Sequence, residues 1–258
     1  MASSRRSLLL TLLAVGGAYS ALRFGPGALE RLFPADFEFE ELTSPAGFRR
    51  FAAGETSAAI DPFIGLDSGD PEKQKRFEAK VRQNICGAVF PDWNPASNSV
   101  PIASFSDYNC PFCKVLTQRI SEREEAQTVP ISVSWHELPL LGQSSRDAAR
   151  GALAAKRQGA YTQFHKRLMR ARFVTTPSFL ERLANDMGID PAQMIQDMQS
   201  REITEEIEMS SAVSRVFSFI GTPALVVGQT VVQGEISEAN LDQLIEVERK
   251  AGPPLACL

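Results

Sequence analysis

Two cysteines with only two residues between them, Cys110 and Cys113, flank Pro111 and Phe112. A thiol attacks as its thiolate, and the first turn of a helix stabilises that anion through unpaired N–H groups and the positive end of the helix dipole. Apolar residues at helical spacing follow Cys113, so the pair is predicted to open a helix, with Pro111 in its first turn. We therefore expect Cys110 to attack and Cys113, almost one turn later, to resolve the mixed disulfide.

A Cys-x-x-Cys pair can also be half of a zinc site or a structural bridge. A tetrahedral zinc site would need ligands recruited from scattered positions, and the chain has only two histidines, His136 and His165. A disulfide that closes a four-residue loop removes little entropy from the unfolded chain, so it would stabilise the fold only weakly. The sequence therefore predicts redox exchange with no metal and no dissociable cofactor.

The remaining cysteines, Cys86 and Cys257, flank the segment that contains the redox pair. In an oxidising compartment two leftover cysteines usually pair. We expect a structural disulfide between them that clips the C-terminal tail to the helix before the core. A free thiol, a relay to Cys110 and an intermolecular bond are the alternatives.

The first residues have the pattern of an export signal. Arg5 and Arg6 precede an uncharged apolar run from Leu8 to about Leu22. Residues 1–23 are predicted to be a signal peptide or a retained membrane anchor, and the paired arginines also resemble a twin-arginine signal. The expected location is the periplasm or cell envelope of a bacterium. The formal net charge of -4 gives no basic footprint for nucleic acid, which is excluded as a partner.

The rest of the chain alternates between strand and helix patterns. An N-terminal extension, residues 24–99, is predicted to contain short extended pieces and one helix from 71 to about 89. A domain over 100–251 follows, and 252–258 form a tail. Its predicted order is a strand, the helix after the cysteines, a second strand, four or five helices, a hairpin and a last helix. The predicted strands are 100–106, 131–135, 224–227 and 230–233, and Ser237 caps the last helix.

Two segments of this domain carry a family resemblance. The run from Phe105 to Cys113, FSDYNCPFC, and the run from Gly221 to Gly228, GTPALVVG, resemble the DsbA-like branch of bacterial thioredoxin-fold oxidoreductases. The resemblance implies an α/β thioredoxin fold with a helical domain, about 142–219, inserted between the second and third core strands. It implies a protein disulfide oxidoreductase that acts on protein thiols or disulfides and exchanges electrons with a membrane or soluble redox partner.

The resemblance also assigns a role to Pro223. The family carries a cis proline that faces the active-site disulfide, and Pro223 would present the backbone of Thr222 to an extended substrate strand. The most oxidising members have a histidine inside the cysteine pair, whereas this chain has Pro111 and Phe112. A less depressed thiolate pKa and a less oxidising potential are expected. The direction of electron flow stays open between oxidase, isomerase and reductase, and a non-redox binding module or chaperone is the alternative from another class.

A few further residues are secondary candidates. Asp107 is expected to cap or orient the active-site turn, and His136 and His165 are interpreted as packing residues. An apolar set is expected either to form a rim for unfolded substrates or to belong to the core: Tyr108, Phe112, Leu138 and Leu140.

Overall fold

A computed structural model describes residues 37–52, 54–57, 70–171 and 175–257. The predicted signal or anchor at 1–23 lies outside the described residues. Within the described ranges, no helix has the length and apolar character needed to cross a bilayer.

One mixed sheet organises the described part of the chain. Its six strands are β1 (Glu40–Glu41), β2 (Arg49–Ala52), β3 (Val100–Ser106), β4 (Ile131–Glu137), β5 (Ala224–Val227) and β6 (Thr230–Gln233). They are arranged in the order β1-β2-β6-β5-β3-β4. The pairs β3/β4 and β2/β6 are parallel, and the others are antiparallel. Every residue of β3 and β5 is buried, in keeping with the apolar run of β5 and with a β3 whose only polar residues are the small Ser104 and Ser106.

Nine helices occur in the described ranges. They are α1 (Pro71–Gln83), α2 (Ile85–Val89), α3 (Pro111–Ala126), α4 (Gln143–Arg157), α5 (Tyr161–Arg170), α6 (Pro177–Asp186), α7 (Pro191–Met198), α8 (Arg201–Val216) and α9 (Glu238–Ala251). Five of them, α4 to α8, lie between the second and third core strands, β4 and β5. The predicted thioredoxin fold with an inserted helical domain is confirmed.

The described part of the extension contains two helices where one was predicted. Asn84 leaves helical geometry at φ -142° and ψ 72°, so α1 ends there. Its side-chain oxygen then accepts a hydrogen bond from the Gly87 N–H and caps α2. Apolar periodicity continues across this break, and for that reason the pattern alone suggested one helix.

The extension is joined to the sheet through β2. Arg49 donates to Glu248 Oε1 at 2.7 Å and to Thr230 Oγ1 at 2.8 Å, and Thr230 in turn donates to Glu248 at 2.6 Å. Glu248 is only 2% exposed. Because a buried carboxylate is costly without partners, this network ties β2 to β6 and α9.

Alternate residues of the central strands face two separate cores. Ile102 and Leu225 pack with α3 and α9, whereas Phe105 and Val226 pack with α1, α2 and α8. A third apolar cluster fills the helical insertion and includes Tyr108, Cys110 and Cys113. The cysteine pair therefore lies where the sheet meets the insertion.

Candidate active site

Cys110 occupies the position immediately before α3. Its N–H donates to the Asp107 carbonyl at 3.1 Å, and its sulfur accepts from the Cys113 N–H at 3.1 Å. Pro111 is the first helical residue, where its missing N–H costs no intrahelical bond. The local sequence thus aims one of the free N–H groups of the helix at Cys110 Sγ, as expected for a site that stabilises a thiolate.

The Thr222–Pro223 loop contacts this sulfur directly. The peptide bond between these residues is cis. Cys110 Sγ lies 3.4 Å from the Thr222 carbonyl oxygen, to which it donates when it is protonated. The fold therefore brings together the two segments on which the family resemblance rested.

The pKa values of the two thiols are shifted in opposite directions. A hydrogen bond from Cys113, helped by one from Ser57, lowers the pKa of Cys110 to about 6 against the opposing effect of burial. Burial raises the pKa of Cys113 well above its ordinary value, and its hydrogen bond to Cys110 raises it further. At neutral pH the pair consequently holds one thiolate, on Cys110, and one thiol, on Cys113.

This acidity predicts the pH dependence of alkylation. A lowered pKa means that the thiolate of Cys110 is lost only as the pH falls through about 6. The alkylation rate of the reduced protein with iodoacetamide should therefore rise through pH 6 and level off by about pH 7, whereas an ordinary thiol keeps gaining up to about pH 9. Mass spectrometry would locate the label. A rate that still climbs between pH 8 and 9 would contradict the stabilised thiolate.

The Asp107 carboxylate holds the active-site turn against the insertion. Its Oδ1 accepts from the Asn109 N–H and the Ser145 hydroxyl, both at 2.7 Å, and its Oδ2 accepts from the Leu141 N–H at 2.9 Å. Three donors satisfy a carboxylate that is only 1% exposed. Asp107 thus couples the residue before Cys110 to the start of α4, in line with its expected orienting role.

A buried polar cluster near the site was missed from sequence. Glu137 Oε1 accepts from the Tyr108 hydroxyl at 2.6 Å and from the Tyr161 hydroxyl at 2.8 Å, and His165 Nδ1 lies 2.8 Å from the Tyr108 oxygen. Burial, followed by the charge of Glu137, raises the pKa of both tyrosines. The available signal was a polar residue at the end of a strand: β4 extends through His136 and Glu137, two residues beyond the predicted end.

His136 points away from the cysteines. Its Nε2 lies 2.8 Å from the Val89 carbonyl oxygen, and its ring stacks on Phe105. Burial lowers the pKa of His136 to about 4, so the ring is neutral at physiological pH. These contacts describe the packing role expected of it.

The four apolar residues interpreted as rim or core differ in exposure. Tyr108 and Leu138 are buried: the Tyr108 hydroxyl donates to Glu137, and Leu138, directly after β4, packs in the cluster that contains Phe105. Phe112 and Leu140 are partly exposed. The rim interpretation is wrong for the first two residues.

The other two cysteines form a disulfide. Cys86 in α2 is bonded to Cys257 in a terminal 3₁₀ turn, with Cα atoms 5.2 Å apart. Cys110 and Cys113 are therefore the two free thiols of the chain. Among the described residues, no group of three or more His, Cys, Asp or Glu side chains is placed to hold a metal ion.

Comparison with known proteins agrees with this geometry. The model of the DSBA-like thioredoxin domain matches residues 101–246. A thioredoxin-like oxidoreductase from Silicibacter pomeroyi is 32% identical, with a TM-score of 0.60 over 64% of this chain and 98% of its own. Disulfide bond formation protein D of Bacillus subtilis is 23% identical over 58% of this chain and 73% of its own length. A Na(+)/H(+) antiporter NhaA 3 from Salinispora tropica is 25% identical over 74% of this chain, which spans only 26% of the antiporter.

Proposed function

We propose that this chain, which belongs to the DsbA-like thioredoxin domain family and is a thiol:disulfide oxidoreductase, exchanges disulfides with protein clients through Cys110 and Cys113. The observation that carries the proposal is the environment of Cys110 Sγ. It lies at the N-terminus of α3, has a pKa of about 6, and contacts the Thr222 carbonyl. A nucleophilic or leaving sulfur and a strand-binding backbone are the two parts that the reaction needs.

The exchange proceeds through one mixed disulfide. In the oxidised protein, a client thiolate attacks Cys110 Sγ, the client–Cys110 bond forms, and Cys113 leaves as a thiolate that takes up a proton. A second client thiolate attacks the client sulfur of this bond, and Cys110 leaves as the stabilised thiolate. The client gains one disulfide and the protein gains two electrons, which a membrane or soluble redox partner must remove.

The acidity of Cys110 favours donation of disulfides over their reduction. A pKa of about 6 stabilises the reduced form, and a stabilised reduced form makes a dithiol pair a stronger oxidant. Thioredoxin has a thiolate pKa of about 7 and the most oxidising family members about 3.5. The pair of this chain, which lacks a histidine between its cysteines, falls between them.

The reduction potential tests this proposal. With Cys86 and Cys257 replaced by serine, equilibration of the Cys110–Cys113 pair with glutathione should give a value between about -270 and -120 mV. Trapping the thiols at each ratio and counting the alkylated peptides gives the fraction oxidised. A potential below about -300 mV would mark a structural bridge and contradict an exchange function.

Exposed apolar residues near the cysteine pair in sequence and near the cis-proline loop fit a protein substrate. Ile220, just before the cis-proline loop, is 70% exposed, and Phe112 is partly exposed between the cysteines. Such apolar side chains at the rim are suited to unfolded segments. The basic pair Arg5 and Arg6 with its apolar run supports export to a bacterial envelope, where residues 1–23 would serve as a signal or an anchor and 100–251 as the redox domain.

A further inference from the structure

Ser57 lies against the active site although it belongs to the N-terminal extension. An isolated antiparallel bridge joins it to Thr222. The Ser57 N–H donates to the Thr222 carbonyl at 2.6 Å, and the Thr222 N–H donates to the Ser57 carbonyl at 2.9 Å. The backbone of the residue before the cis proline is therefore already paired. An extended client strand would need the same N–H and the same carbonyl.

The sulfur of Cys110 is covered in the same arrangement. Cys110 is 0% exposed, and the Ser57 side chain forms a hydrogen bond with its sulfur. A cysteine that reacts with other proteins has to be reached by their sulfur atoms. A client cysteine would have to bring its sulfur to the Cys110 sulfur, and the Ser57 hydroxyl occupies that position. Serine has the shape of cysteine, with oxygen in place of sulfur.

The segment Gly54–Ser57 is guided to this place by the sheet. It follows β2, which pairs in parallel with β6, and the Glu235 N–H donates to the Glu55 carbonyl at 3.0 Å. Three backbone hydrogen bonds thus hold the segment beside β6 and the cis-proline loop. These bonds stabilise the bound segment only modestly, because a competing strand can form equivalent hydrogen bonds with Thr222.

We infer that the segment Gly54–Ser57 is an internal stand-in for a client strand, with Ser57 in place of the client cysteine, and that clients must displace it to reach Cys110. The inference rests on the proposed exchange function and adds a substrate class to it. Clients are extended or unfolded segments whose backbone competes with the chain's own residues for Thr222. Folded proteins whose cysteines lie in rigid helices cannot pair their backbone with Thr222 and so cannot displace the segment.

Displacement is tested by a matched pair of substitutions in the full chain carrying Cys113→Ser. Ser57→Pro removes the N–H that pairs with Thr222, whereas Ser57→Ala removes only the hydroxyl. At pH 8 the Cys110 thiolate attacks an unstructured peptide whose cysteine is joined to glutathione; the Cys110–peptide disulfide forms and glutathione leaves as its thiolate. Ser57→Pro should react about 5- to 10-fold faster than the Cys113→Ser parent, the effect of about one backbone hydrogen bond, and Ser57→Ala should show less than half of that gain.

The position of Ser57 is tested independently by cross-linking. In the same Cys113→Ser background, Ser57→Cys treated with oxidised glutathione should form a disulfide with Cys110 while glutathione is released as two thiols. Neighbouring side chains of a strand point to opposite faces, so Thr56→Cys is the matched control and should not link to Cys110. The bond is identified as a linked peptide pair by mass spectrometry under non-reducing conditions.

The outcomes separate this inference from the proposed function. Equal peptide rates for Ser57→Pro and its parent, or equal linking from positions 56 and 57, would overturn the stand-in while exchange itself persists. If neither Ser57→Pro nor its Cys113→Ser parent forms a mixed disulfide with oxidised glutathione, the proposed exchange function itself is contradicted. Faster reaction of Ser57→Pro together with selective linking at position 57 establishes the stand-in.

Discussion

Replacing Cys113 by serine is expected to turn the protein into a trap for its clients. Cys110 would still attack a client disulfide, because the serine hydroxyl can donate to its sulfur as the Cys113 thiol does, and that hydrogen bond is the main cause of the lowered pKa of Cys110. Without a second sulfur, the mixed disulfide has no internal resolver. Non-reducing electrophoresis of the purified protein should show adducts that disappear with reductant, and net exchange should fall by at least about 100-fold.

Two matched variants isolate the roles of the cysteines. Cys110→Ser should form no adducts, since burial raises the pKa of Cys113 well above its ordinary value and leaves it a thiol at neutral pH. Cys113→Ala should form them more slowly near pH 6, because alanine cannot donate to the Cys110 sulfur and the pKa of Cys110 rises. Equal adduct yields from Cys110→Ser and Cys113→Ser would contradict the assignment of Cys110 as attacker and Cys113 as resolver.

Loss of the Cys86–Cys257 disulfide is expected to have the largest effect on stability. The bond spans 171 residues of sequence and ties α2 to the C-terminal turn. Removing a native disulfide typically costs about 2 to 5 kcal/mol, and the chain-entropy model puts a loop of this length at the upper end of that range. Cys86→Ser with Cys257→Ser should therefore lower the free energy of unfolding by about that amount in urea denaturation followed by circular dichroism.

The single substitutions provide the control for this measurement. Either Cys86→Ser or Cys257→Ser alone breaks the bond, so each should cost nearly as much as the double variant and the two losses should not add. The pKa of Cys110 should not move in the double variant, because its causes lie in Cys113, Ser57 and Thr222. A double variant that unfolds at the same urea concentration as the unaltered protein would show that the bridge contributes nothing.

The oxidoreductase family and the fold were both predictable from local patterns. The expected DsbA-like family and the inserted helical domain are confirmed. The helix after Cys110 begins as its proline and apolar spacing indicate, and Ser237 caps the last helix. The helix start and the cap depend on residues within one or two helical turns of one another, and the family resemblance on two short runs, so each is visible in the sequence.

Other features depended on residues that are far apart in the chain. Nothing near Arg49 signals that its four-residue strand joins the sheet, because the partners that fix it, Thr230 and Glu248, come from the opposite end of the chain. The cluster around Glu137 likewise draws a tyrosine from the active-site turn and residues from α5. Such contacts form only when packing of the whole domain brings distant segments into register.

By itself, then, the sequence determined the chemistry of the site: a cysteine pair at the start of a helix and a proline loop that belongs opposite it. The tertiary structure decided the pKa of the Cys110 thiol and its accessibility to other proteins. It placed Ser57 on the Thr222 backbone and against a fully buried Cys110, where its hydroxyl helps to stabilise the thiolate. Local sequence can encode a reactive group, whereas its accessibility is a property of every segment that packs around it.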